Sequence, residues 1–317
     1  MRYYNGNFIS ATDQDPSSSA VNGIFNLEAH LVHVKAGRWM QTAAPPPPPS
    51  ANDPSLTAAE HYYDEGSSPS GYSVERNMNS DTDANELWSD IPVVTTSGKR
   101  LFVIIATYRY SNGSQGHWNQ HFDSSNLEVS LDLKYNTTTQ ALTYRGSYAA
   151  SEYNATSIWT AIADGAAAST DDYSILFTDN TNTNHGNFSY SGIVIDDVDN
   201  VEYVNIESLG FSNAVNQSST LSLNLAPDNT TSATHVLRIA ASNGSNISTD
   251  TLDYNKGSSE PAYTQIGEGD NGTNERHHHS YHFGAHGTQV NMTGTFGDNT
   301  NGASNGMSGL GCIIGLS

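Results

Sequence analysis

Short apolar runs separated by turn-forming residues constrain the fold of this chain more than any other feature. The clearest run covers residues 101–110, which begin as a continuous apolar stretch and end in alternation. This pattern is typical of a strand that is buried on both faces at one end. Residues 127–133 and 221–225 carry Leu or Val at every second position, which is the period of a half-buried strand. The runs therefore predict a β-rich chain.

Turn signals such as Ser111–Gly113 and Asn243–Gly244 separate the runs. The predicted strands are 101–110, 127–135, 141–148, 173–177, 192–195, 201–206, 220–225, 235–240 and 289–296. Many short strands without alternating helices favour a β-sandwich, of a jelly-roll-like kind. No internal repeat of the length found in propellers or solenoids is visible.

The net charge of the chain indicates which classes of partner it can bind. Asp and Glu outnumber Lys and Arg by 33 to 12, giving a net charge of -21, and such a surface repels phosphate backbones. We therefore expect no nucleic-acid partner.

Cys312 is the one cysteine, so no intramolecular disulfide forms, and we expect its side chain to be buried. Residues 1–7 lack the apolar core of a signal peptide, and no run is long enough to span a membrane. We therefore expect synthesis in a cytoplasm without membrane insertion.

The sequence predicts three parts, of which residues 1–40 form an N-terminal anchor. Leu27, Leu31 and Val34 recur at helical spacing. Asn26 is a suitable N-cap, and Gly37 is a suitable stop. A helix this short is not stable alone, so its apolar face must dock on another surface.

Residues 41–90 form the predicted linker, and residues 91–317 form the predicted β-sandwich body. Pro45–Pro49 is a run of five prolines, which forms an extended rod of about 15 Å at ~3.1 Å per residue. A stiff spacer and a ligand for a proline-binding domain are both open, and the lack of flanking basic residues favours the spacer. The body ends in a glycine-rich segment, 294–311, and an apolar run, 310–316. We expect this end to be packed, with an interface between subunits as one place for it.

Five histidines lie between His277 and His286. In a strand, His277 and His279 would share a face, and imidazole suits transition metals. No carboxylate or cysteine stands at a spacing that completes a metal site within one chain. A solvated, turn-rich cluster is the favoured interpretation, and a metal site or a pH-sensitive contact are the alternatives.

Candidate catalytic acids are Asp171, Asp172, Asp196, Asp197 and Asp199, all in predicted loops. Catalytic carboxylates of glycosidases face each other across a bond at about 5–9 Å, and sequence neighbours do not show this. The calcium alternative for the last three lacks the spacing of an EF-hand. No nucleophile elbow, phosphate loop, dinucleotide fingerprint or zincin helix is present. We therefore predict no enzymatic activity, with no catalytic, cofactor-binding or metal-binding residue assigned.

Four aromatic residues lie beside polar predicted loops: Trp118, Tyr153, Trp159 and Tyr190. Such rings can stack on sugars, although most Trp residues in a sandwich belong to the core. They keep a carbohydrate-binding function open.

The first forty residues carry a resemblance to a family. Gly23-Ile24-Phe25-Asn26-Leu27, followed by a short helix and Gly37-Arg38-Trp39, resembles an element in tail-fibre and other virion proteins of aquatic tailed bacteriophages. In those proteins the element precedes a polar, β-rich body and usually ends in Trp-Pro, whereas Met40 follows Trp39 here. The resemblance is confined to residues 23–39 and carries no functional residues with it.

The resemblance implies a structural virion protein of the tail-fibre, baseplate or capsid-decoration type, located in the virion. Its expected partners are other virion proteins and two further copies of itself, because phage fibres usually close threefold. The apolar helix face at 27–34 and the apolar residues 313–316 support an oligomer. The alternatives are an adhesin that binds a host-surface glycan and a glycan depolymerase.

Overall fold

The computed structural model describes fifteen segments of the chain. They are residues 53–64, 73–77, 98–109, 122–123, 126–127, 129–135, 137–150, 154–164, 173–179, 188–211, 220–245, 252–270, 275–287, 289–297 and 307–317. The chain divides into Met1–Ala51 and Asn52–Ser317, and every described residue lies in the second unit. None of the described residues is helical. No helix that could cross a lipid bilayer is found among them.

Nineteen strands occupy the described residues. They are β1 Ser55–Asp64, β2 Ser73–Asn77, β3 Lys99–Arg109, β4 Phe122–Asp123, β5 Asn126–Leu127, β6 Val129–Tyr135, β7 Thr138–Ala141, β8 Thr143–Ala150, β9 Asn154–Asp164, β10 Tyr173–Asp179, β11 Phe188–Asp196, β12 Val201–Phe211, β13 Leu221–Ser222, β14 His235–Ser245, β15 Tyr254–Asn255, β16 Thr264–Asp270, β17 Glu275–Ala285, β18 Thr295–Phe296 and β19 Met307–Leu316.

Two five-stranded antiparallel sheets form the centre of the body. Central sheet 1 has the order β1-β11-β3-β9-β8, and central sheet 2 has the order β12-β19-β14-β17-β16. They lie against each other with β1 beside β16 and β8 beside β12. Outer sheet 1, of order β2-β10-β6-β7, and outer sheet 2, of order β13-β18-β15, complete the layers, together with the short pair β4-β5. The central sheets thus form a sandwich, and each carries a further sheet on its outer face.

Three apolar cores separate the four layers, and alternation along single strands fills them. In β3, Phe102, Ile104 and Ala106 face outer sheet 1, whereas residues 101, 103 and 105 face central sheet 2. In β14, residues 237, 239 and 241 line the same middle core, whereas 236 and 240 face outer sheet 2. Strands covered on both faces are apolar at successive positions, which explains the continuous run at the start of β3.

The glycines of β19 let other side chains rest directly on its backbone. A Cβ on Gly309 would lie 2.8 Å from the Phe296 ring, and one on Gly311 would lie 2.8 Å from Leu223. All ten residues of β19 are buried within the chain. The packing expected for the C-terminal segment is therefore supplied by the chain itself, without a second subunit.

The mainly β class is confirmed, and most predicted strands lie within observed ones. Residues 220–225 and 289–296 differ, because they form only β13, β18 and a bridge between Leu225 and Met292. The patterns missed β1, β2, β4, β9, β15, β16, β17 and β19, and they covered only the last residue of β7. The predicted N-terminal helix lies outside the described residues.

Two strands occur inside the region predicted to be a linker. β1 pairs with β11 from Ser55 to Asp64, and β2 pairs with β10 from Ser73 to Asn77. These parts of 41–90 thus belong to the sheets, although the division into anchor, linker and body otherwise stays a prediction. The composition of residues 55–64 did not predict β1, because an edge strand forms its backbone hydrogen bonds whatever its side chains are.

We expect Gly311→Ala to destabilise the body. The new Cβ would meet the buried side chain of Leu223 in a filled core, and overpacking of this kind costs about 1–3 kcal/mol. Urea unfolding measures the change. The matched control is Gly284→Ala in β17, where the nearest atoms belong to the partly exposed His282 side chain. Equal stability of Gly311→Ala and the unaltered protein would contradict the packing of β19.

Candidate functional site

A cluster of three histidines lies between the two central sheets, at the edge where β1 meets β16. His277 and His279 of β17 are buried, and His61 of β1 is partly buried. We call these three residues the histidine cluster. Alternation places His277 and His279 on the face of β17 that also carries Tyr281 of the middle core. His61 meets them from central sheet 1 across the same core.

Ser191 of β11 joins the cluster through hydrogen bonds. The Nε2 atoms of His277 and His61 are 2.8 Å apart. His61 Nδ1 lies 2.7 Å from Ser191 Oγ, which in turn lies 2.8 Å from His279 Nδ1. The centroids of the three rings are separated by 4.8–5.4 Å. The four side chains therefore form one continuous chain of hydrogen bonds.

The direction of this chain follows from its end at His279. His279 Nε2 is buried and has no hydrogen-bond partner among the described residues. A buried N–H without a partner is rare, so the single proton of the neutral ring lies on Nδ1 and is donated to Ser191 Oγ. Ser191 then donates to His61 Nδ1, and His61 Nε2–H donates to His277 Nε2. Each bond in this order has one donor and one acceptor.

Burial keeps the cluster neutral at pH 7. Burial lowers the pKa of His61 to about 4. It also lowers the pKa of His277 and His279 well below the ordinary value, and the neighbouring imidazoles add to the effect. Gly267 of β16 closes the site, because a Cβ there would lie 2.3 Å from His61 Nδ1. The missing side chain lets the His61 ring pack flat against β16.

The solvated interpretation of 277–286 is wrong. His277, His278, His279 and His286 are buried, and all except His286 belong to β17. His278 faces the other side of β17, where its Nδ1 is 3.4 Å from Asp253 Oδ1. Strand alternation and pairing with β14 and β16 bury residues that composition places in water.

Metal-binding geometry is a separate question from burial. In the part of the chain that the structure describes, no group of three or more His, Cys, Asp or Glu side chains is placed to hold a metal ion. The imidazole nitrogens of the histidine cluster are instead directed at one another and at Ser191.

The candidate acid Asp196 forms a buried ion pair. Its carboxylate accepts hydrogen bonds from Arg100 Nε at 2.6 Å and Nη2 at 3.1 Å, and from Thr57 Oγ1 at 2.7 Å. Burial opposes the charge of Arg100, but Asp196 outweighs burial and raises the arginine pKa. Asp196 thus joins β11 to β3 and β1, and its oxygens are occupied by these contacts.

The other two described candidate acids, Asp197 and Asp199, have contacts of their own. Asp197 is buried and lies in the left-handed region, with φ of 59°, and its N–H donates to Lys99 O. Asp199 Oδ1 lies 3.6 Å from Lys99 Nζ, and its side chain is 47% exposed. Asp171 and Asp172 lie outside the described residues.

Two of the four candidate sugar-stacking aromatics belong to the core instead. Trp159 and Tyr190 are buried between central sheet 1 and outer sheet 1. The indole N–H of Trp159 donates to Ser157 Oγ at 2.8 Å. Neither ring is available to stack on a sugar, because alternation in β9 and β11 turns both inward. Trp118 and Tyr153 lie outside the described residues.

A buried carboxylate that sequence patterns do not reveal is Glu260. It accepts hydrogen bonds from the backbone N–H groups of Gly257 at 2.8 Å and Thr293 at 2.7 Å. The hydroxyls of Tyr254 and Tyr263 each donate to Glu260 Oε2 at 3.0 Å. Burial and the neighbouring carboxylate raise the pKa of both tyrosines. Glu260 thus links the 254–263 segment to residue 293. A single Glu in a loop belongs to no sequence pattern that would predict this role.

Comparison with known proteins does not place the chain in a family. No family model, no curated protein and no solved structure matches it.

We expect Asp196→Asn to destabilise the body by about 3–5 kcal/mol, because it leaves the buried Arg100 charge without its counter-charge. Chemical unfolding monitored by tryptophan fluorescence measures the loss. Asp199→Asn is the matched control three positions along the same segment, and its exposed pair with Lys99 contributes only about 0–1 kcal/mol. Similar losses in the two variants would contradict a structural role specific to Asp196.

Proposed function

We propose that this chain is a non-enzymatic structural protein of a tailed-phage particle, of the tail-fibre, baseplate or capsid-decoration type. It acts by assembling with other virion proteins, and its place is the virion. A jelly-roll-like class for the sandwich of central sheets is part of the same proposal. The observation that carries the proposal is the layered body, in which two central sheets are covered on both faces.

A body of this kind suits a mechanical part of a particle. The inner strands of the two central sheets, such as β3, β14 and β19, are fixed by backbone hydrogen bonds within their sheet and by side-chain packing above and below. Local opening would expose two cores at once, so such strands belong to the most protected part of a fold. The virion-like element at residues 23–39 supplies the link to phage proteins.

The polar groups inside the body support assembly over catalysis. Asp196 binds Arg100 and Thr57, and Glu260 binds backbone N–H groups and tyrosine hydroxyls. Each carboxylate stabilises the fold through these contacts. No observation on the described residues favours the adhesin or the depolymerase, since Trp159 and Tyr190 are buried.

The proposed oligomer is a homotrimer, and its support now comes from the N-terminal part alone. Ile313, Ile314 and Leu316 are buried within the chain, so they offer no surface to a second copy. The apolar face of the predicted helix, with Leu27, Leu31 and Val34, remains the proposed contact between chains.

We expect the full-length protein to form trimers and the double variant Leu27→Asp/Leu31→Asp to be monomeric, because charge on the apolar face prevents its burial. Native mass spectrometry measures both. Leu56→Asp is the control, since Leu56 is an exposed apolar residue of β1 with 38% exposure, and it should leave the trimer intact. A monomer of the unaltered protein at micromolar concentration, or a trimer of the double variant, would contradict the proposed contact.

The particle itself provides the test of the function. Peptides of this chain should appear in purified phage particles at a fixed ratio to the other virion proteins. Their presence in infected cells together with their absence from purified particles would overturn the proposal.

A further inference from the structure

We propose that the histidine cluster makes the junction of the two central sheets sensitive to pH, so that acidification below about pH 6 opens the edge formed by β1, β16 and β17. The inference concerns His61, His277 and His279 with Ser191. It does not rest on the proposed function, because it follows from the contacts of these side chains alone.

The hydrogen bonds of the cluster hold only while the rings are neutral. His277 Nε2 accepts from His61 Nε2–H across 2.8 Å. A proton added to His277 would place two N–H groups face to face at that distance, and both rings would have to separate. A proton added to His61 Nδ1 would turn the Ser191 hydroxyl from donor to acceptor, and it would leave the hydroxyl proton without its acceptor and a charge buried between the sheets. Charging His277 therefore breaks a contact between central sheet 1 and central sheet 2, and charging His61 weakens one.

The elements around the cluster offer other titratable groups, and these act mainly on His278. On β17 itself, His278 faces away from the cluster, toward Asp253. Burial lowers the pKa of His278, and the charges of Asp253 and Glu268 partly oppose this effect. On β1, alternation places Glu60 on the face opposite His61. β11 contributes the neutral Ser191.

The register brings further neighbours to the cluster from β14 and β16. On β14, Ala241 pairs with His279 and Asn243 pairs with His277. On β16, Gly267 lies opposite His279. Burial lowers the pKa of His61, and burial together with the neighbouring imidazoles lowers the pKa of His277 and His279. A proton taken up here therefore meets other imidazoles as its neighbours.

The sign of the pH effect follows from the lowered pKa values. The unfolded chain binds protons on these imidazoles below about pH 6.5, whereas folded His61 does so only near its pKa of about 4. The contribution of these imidazoles to the free energy of unfolding is fully present above about pH 6.5. It is lost as the pH falls toward the pKa of the folded protein. Each imidazole raises the unfolding equilibrium constant up to about tenfold per pH unit, and the three together raise it up to about a thousandfold.

The test is urea unfolding of the full-length protein at several pH values from about 7.5 to 5, in buffers of equal ionic strength. We expect the unfolding constant to rise steeply on acidification, and His61→Asn should reduce that rise by up to about tenfold per pH unit. His235→Asn is the control, because His235 lies at the start of β14, partly exposed and stacked on Phe283. It should leave most of the rise unchanged. A pH dependence that is the same in all three proteins would overturn the proposal.

A second measurement on the unaltered protein covers the case in which His61→Asn does not fold. Imidazole NMR signals should show His61, His277 and His279 neutral at pH 5.5 in the folded state. Amide exchange, corrected for its intrinsic pH dependence, should lose protection in β1 and β16 before β3 and β9. Titration of the three rings near pH 6.5 without loss of structure would overturn the inference, as would simultaneous loss of protection in all four strands.

Discussion

The coverage of both central sheets on both faces is the constraint on which the rest of the structure depends. The inner strands β3, β14 and β19 have almost no surface in water, so nearly every side chain along them is apolar, absent or hydrogen-bonded. β3 meets this with alternate apolar rows, and β19 meets it with glycines beneath Phe296 and Leu223. Successive positions of one strand thus serve two different cores.

Several buried polar side chains in these layers are paired, because an unpaired polar group in a core is costly. Thr156 and Ser308 join the two central sheets by a hydroxyl pair at 2.8 Å. Arg238 is fully buried in β14, and its Nη2 donates to Gln289 Oε1 at 2.9 Å. The histidine cluster differs from these pairs, because its hydrogen bond between His61 and His277 holds only while both rings are neutral. At this edge, the contact between the two central sheets therefore depends on pH.

Sequence patterns predicted the elements whose side chains carry their own signal. β6 was predicted because its apolar residues recur at the strand period, and β3 because a continuous apolar run ends in alternation. β19 was missed because glycine carries no hydrophobic signal, although three glycines are what the packing above it requires. β1 was missed because its pairing with β11 is a backbone contact that few apolar side chains accompany.

The histidine cluster could not be predicted from the sequence for a related reason. His277 and His279 share a face by strand alternation, and that much follows from their spacing. His61 is separated from His277 by 216 positions, and its strand lies within the predicted linker. Only the packing of β1 beside β16 brings the third ring into place.

The central claim is that β19 is a strand covered on both faces, and Cys312 reports on it directly. This residue is the one thiol in the chain, it is fully buried in the middle core, and burial raises its pKa. The decisive measurement is the rate at which a thiol reagent labels the native protein. We predict no labelling under native conditions, and labelling in urea at the rate of global unfolding. Rapid labelling of the folded protein would show that β19 is accessible and would contradict the layered arrangement.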